Sequence, residues 1–126
     1  MDKKFIITTF MELEMTTQLY HWTTTKYSRH IGSDKLFKNL LETIDKFIEV
    51  YIGVYGRNDK KLLASNDSIT VKKLNDDDFI KYLSKIKKFL STDLIKILSP
   101  SDTDLFNIRD ELLAHINQSL YLFSLE

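Results

Sequence analysis

The chain has 126 residues, 43% of them apolar, with eighteen basic and eighteen acidic side chains and no cysteine. That length suits a single domain over 1–126 with a sizeable core, and the balanced charge gives no electrostatic reason to bind nucleic acid or an anionic membrane. The missing thiols exclude disulfides, thiolate metal sites and cysteine nucleophiles.

Three glycines and one proline supply little turn chemistry, which favours a few long helices over many short strands. The opening MDKKFIITTFMELEM holds an apolar run soon interrupted by Glu12 and Glu14. The run is too short for a signal peptide or a membrane span, so a soluble, intracellular protein is expected.

The first predicted helix runs from about Phe5 to Thr24. Phe10, Leu13 and Tyr20 fall on one side, with Ile7, Met11, Met15, Leu19 and Trp22 on an adjacent one. Together they make a wide apolar face. The second helix has the clearest periodicity: Phe37, Leu40, Leu41, Ile44, Phe47, Ile48 and Tyr51 recur at three- and four-residue steps, and Gly53 and Gly56 close it. Its start has two readings, a cap at Ser33 or a longer helix from Tyr27 that absorbs Gly32.

Residues 54–75 are polar and irregular, a connection long enough to suggest a functional or interfacial role. Asp76, Asp77 and Asp78 open the third helix and Lys81, Lys85, Lys87 and Lys88 follow, an order that suits the helix dipole. Its apolar face continues toward Leu98, and Pro100 stops it. Asp102 or Ser101 is placed to cap a fourth helix carrying Leu105, Ile108, Leu112, Ile116 and Leu120. Four amphipathic helices with a long connection between the second and third predict an all-α four-helix bundle.

The polar residues that stand out are His21, His30, Asp45 and Glu49. Asp45 and Glu49 share a helix face. His21, near the end of the first helix, and His30, near the start of the second, can approach each other across the turn. His30 and Asp45 are fifteen residues apart, roughly 22 Å on one helix at about 1.5 Å per residue. One chain therefore cannot bring all four to one ion. A second copy packed with its second helix antiparallel can, and two-fold symmetry would make two identical sites. Imidazole with carboxylate suits iron. The plainer reading of each residue alone is a solvated stripe or a hydrogen-bonded surface histidine. Glu111 and His115 have the same four-residue spacing, for which an ion pair or hydrogen bond is the expectation.

The stretch LYHWTTTKYSRHIGSDKLFKNLLETIDKFIEV resembles the motif of Dps-type mini-ferritins, in which a His-Trp pair is followed by a second His, an Asp fifteen residues on, and a Glu four after that. His21-Trp22, His30, Asp45 and Glu49 stand in those places. The C-terminal DTDLFNIRDELLAHINQSLYLFSL is similar to the last helix of that family. The chain is also similar to an uncharacterised ferritin-like family of large DNA viruses and phages.

The resemblance implies a ferritin-like four-helix bundle that associates through its first two helices as a dimer or a twelve-subunit shell. It implies iron as the metal, ferroxidase-type activity, and His21, His30, Asp45 and Glu49 as ligands with Trp22 packed nearby. It also implies a cytoplasmic or virion-associated setting. The alternative is a metal-free structural or virion-associated assembly protein on the same fold. The interval between His21 and His30 is shorter than in the Dps family, and MDKK is a poor substitute for its lysine-rich tail, so DNA binding is not expected.

Overall fold

The computed structural model describes residues 5–64 and 66–125; the MDKK segment lies outside them. Among the described residues every regular element is helical. The helix α1 (Ile6–Thr23) turns through 24–26 into α2 (Tyr27–Tyr55). A third rod begins as α3 (Asp76–Lys88), widens into a π turn (Phe89–Asp93) and ends as α4 (Leu94–Ile97). Pro100 follows, and α5 (Thr103–Phe123) closes the bundle. The helix α2 packs on both α1 and α5, and α3 packs on α5. No helix among the described residues is long and apolar enough to cross a membrane.

One continuous core joins all the rods. Phe10 of α1 meets Phe47 of α2 edge-on at 5.4 Å and Phe89 of the π turn at 6.1 Å. Of the two apolar sides of α1, only the one bearing Phe10, Leu13 and Tyr20 is buried; Met11, Met15 and Trp22 remain exposed. On α2 the longer helix is realised. Gly32 is absorbed because only a hydrogen fits there: a Cβ would lie 2.7 Å from a ring carbon of Phe123. Ser33 is buried in the helix rather than capping it. Gly53 is absorbed too, and the helix ends at Gly56, whose φ of 92° favours glycine.

The long connection acts as a strap along α1. The amides of Ile6 and Ile7 donate to the carbonyls of Lys61 and Leu62, each at 3.0 Å. Those bonds satisfy amides that a capping side chain would otherwise take. Farther along, Thr8 donates to Asp67, the Thr70 amide to Glu12 and the Lys72 amide to Thr16.

Three tyrosine–aspartate pairs then fix the junctions between elements. Tyr20 donates to Asp76 at the start of α3, Tyr51 to Asp59 in the strap, and Tyr55 to Asp102 before α5. Asp102 does not cap α5 with its side chain, as the sequence suggested. Its carboxylate instead accepts from the Ser99 amide and the Tyr55 hydroxyl. Arg109 donates to the Leu90 carbonyl in the π turn, where the regular ladder is interrupted.

Candidate metal centre

The three-residue turn between α1 and α2 brings His21 and His30 together. Their rings stack with centroids 4.0 Å apart and planes 16° from parallel. His21 Nδ1 lies 2.7 Å from the His30 carbonyl oxygen, and His30 Nδ1 lies 2.8 Å from the His21 carbonyl oxygen. A carbonyl oxygen only accepts, so each Nδ1 carries a proton, and in the neutral form of either ring the lone pair is on Nε2. No hydrogen bond to either Nε2 forms among the described residues. A backbone carbonyl on Nδ1 is also the usual way a metal-binding imidazole is oriented. The shorter turn thus pairs the two rings.

The sequence neighbours of the two histidines anchor them. Tyr20 stacks on Phe79 with centroids 4.0 Å apart and donates to Asp76 at 2.6 Å. The buried Arg29 donates to the Tyr20 hydroxyl at 3.1 Å and lies over the Phe123 ring at 4.8 Å. Thr24 and Lys26, both in the turn, also reach the Asp76 carboxylate. The Ser33 hydroxyl donates to the His30 carbonyl, stiffening the acceptor of the His21 bond. Trp22, by contrast, is 67% exposed and stacks on neither imidazole.

Asp34 belongs beside this pair and was not singled out in the sequence, although it follows His30 by four residues. A hydrogen bond from Lys38, at 2.9 Å, is the main cause that holds its carboxyl below the usual range, and the two imidazoles add to it. The acids expected to complete the centre are elsewhere. Asp45 and Glu49 are exposed toward the far end of α2, which is unbroken between His30 and Asp45, so roughly 22 Å of helix separates those two. Among the described residues of one chain, no group of three or more His, Asp or Glu side chains is arranged to hold an ion.

Asp45 lines a groove of about 290 Å³ between α1 and α2, with Ile7, Met11, Leu41 and Ile48 among its walls. Glu14 shares that groove, and its carboxyl is pushed up to about 7, chiefly by burial and secondly by Asp45. No spacing signal marks Glu14; its only hint is an acid lying among the apolar positions of α1. Glu111 and His115 line a separate groove with Glu42, between α2 and α5. A cavity of about 660 Å³ lies between α1, the strap and α3 and contains no histidine.

Residues 21–123 match a family of unknown function, DUF5856. The chain is 30% identical over 121 residues to an uncharacterized 14.6 kDa protein of the mobD-ri intergenic region of Enterobacteria phage T4, spanning 93% of this chain and 87% of that one. No solved structure matches.

Proposed function

We propose, for a chain that belongs to the DUF5856 family, that it is a ferritin-like iron-binding protein whose centre is shared by two copies. His21 and His30 come from one copy, Asp45 and Glu49 from the other, and Asp34 stands beside the imidazoles. The observation that carries this reading is the reciprocal locking of the two Nδ1 atoms on backbone carbonyls, at 2.7 and 2.8 Å. It leaves two adjacent Nε2 atoms with no hydrogen-bond partner among the described residues of their own chain. The acids that one chain cannot bring to its own imidazoles sit fifteen and nineteen residues along the same helix from His30, so an antiparallel copy would supply them to both ends at once.

Ferrous iron is the substrate. Neutral imidazoles accept the ferrous ion, and carboxylates favour the ferric product because added positive charge strengthens oxygen donors. Dioxygen or a peroxide would take the electrons, which makes the activity of ferroxidase type. Met11, Met15 and Leu41, exposed on the same side of the hairpin, supply apolar surface for the association.

The test is anaerobic titration of the metal-free protein with ferrous iron, beside a His30→Ala variant. Stoichiometric binding that fails in the variant, together with oxidation on exposure to air, is the expected outcome. Absence of bound iron in the assembled protein refutes it. The second reading, a metal-free structural or virion-associated component, is favoured by the phage relative, and an assembled, iron-free protein is the outcome it expects.

A further inference from the structure

The apolar and charged residues that would face a second copy carry more than the metal reading uses. Ile31, Lys38, Leu41 and Asp45 recur along the outer side of α2. Ile31 is 50% exposed and Leu41 40% exposed, so each keeps apolar surface that the described residues leave open. Lys35 and Glu42 are exposed nearby, and neither forms an ion pair among the described residues.

The shared centre fixes a register. If His30 lies level with the midpoint of Asp45 and Glu49 of the second copy, facing residue numbers add to about 77 along two antiparallel α2 helices. The two-fold axis then passes beside Lys38. Lys35 comes level with Glu42 of the second copy, opposite charges meeting on the same flank, twice by symmetry. Ile31 comes level with the Asp45 end of the other copy's groove, and Leu41 lies within about one turn of the axis. Lys38 itself would bring two like charges together at the centre, but it is already paired with its own Asp34 at 2.9 Å.

We propose that this side of α2 is a self-association surface. It would hold a second copy of the chain in the antiparallel register with Lys38 at the axis, through Ile31, Leu41 and the Lys35–Glu42 pairs, before any ion binds. The proposal rests on the reading of a shared centre. It adds the register, and it makes the dimer independent of iron.

The chain has no cysteine, so a single introduced thiol reports the register without background. In metal-free protein under mild oxidation, Lys38→Cys is expected to give a disulfide-linked dimer. Val54→Cys, exposed near the far end of α2, is expected to stay unlinked, since the two copies of that position fall far beyond disulfide reach. Sedimentation equilibrium of the metal-free wild type should show a dimer, and Ile31→Asp and Leu41→Asp should each weaken it by about tenfold or more. Helical circular dichroism should be unchanged, because both side chains are partly exposed.

A metal-free dimer that links equally through both cysteines, or that neither aspartate weakens, overturns the register and leaves the metal reading standing. A chain that stays monomeric at every concentration overturns both. A dimer in the expected register that never takes up iron upholds this inference and removes the metal reading.

Discussion

A centre assembled from two chains makes a prediction that a centre within one chain cannot. His30→Ala removes the nitrogen donor from one end of α2, and Asp45→Asn removes an acid from the other. About 22 Å of helix lies between them, and neither side chain is part of the core. Each variant alone should assemble and bind no iron at the shared centre. Mixed in equal amounts and allowed to exchange, half the dimers become heterodimers. In a heterodimer one centre carries both lesions, while the other receives native imidazoles from one chain and native acids from the other. Half of the dimers with one intact centre of two gives about a quarter of the wild-type capacity. The assay is iron bound per chain in the mixture, after anaerobic loading and gel filtration, against each variant alone. No recovery, in a mixture shown by mass spectrometry to contain heterodimers, would refute the argument, as would near-full binding by either variant alone.

Other outcomes follow from the braces around the turn. Gly32→Ala drives a Cβ to 2.7 Å from the Phe123 ring, and overpacking of that kind should cost about 1–3 kcal/mol in urea unfolding. Tyr20→Phe leaves the buried Arg29 without a hydroxyl acceptor and should cost about 1–3 kcal/mol by the same measurement. The Asp76 carboxyl is held below its ordinary value, first by the hydrogen bond from Tyr20. Its contribution to stability is therefore complete above the unfolded-state value of about 3.9 and is lost as pH falls through the lower folded value. Asp76→Asn should flatten that acid limb in thermal melts between about pH 5 and 2. The neutral chain should show negligible affinity for DNA at moderate salt in a mobility-shift titration.

The four rods were legible because each repeats apolar residues at helical spacing over many turns, and in α2 and α5 most of those residues enter the core, with Leu41 left exposed. The encounter of His21 with His30 was legible as well, since a short turn between two antiparallel helices leaves them few other places. Other features lack a local signal. The start of α1 is satisfied by the carbonyls of Lys61 and Leu62, more than fifty residues away, and backbone acceptors leave no trace in residue identity. The π turn at Phe89–Asp93 interrupts a pattern that reads as one continuous helix. Asp102 looked like a cap by position, yet Tyr55, 47 residues earlier, helps hold its carboxylate to the Ser99 turn. Asp34 did carry a usable signal, four residues after His30, but it was hidden among the charged residues of a solvated stripe.

The unbroken run of α2 from Tyr27 to Tyr55 is, on the proposed reading, a ruler with a ligand mark near each end. Inserting or deleting one residue between His30 and Asp45 would shift the marks by about 1.5 Å and swing one against the other by about 100°. By symmetry it would spoil both centres of a dimer at a stroke. The strap over α1 bears none of the four proposed ligands, so relatives of this chain should vary in length there while keeping the distance along the ruler constant.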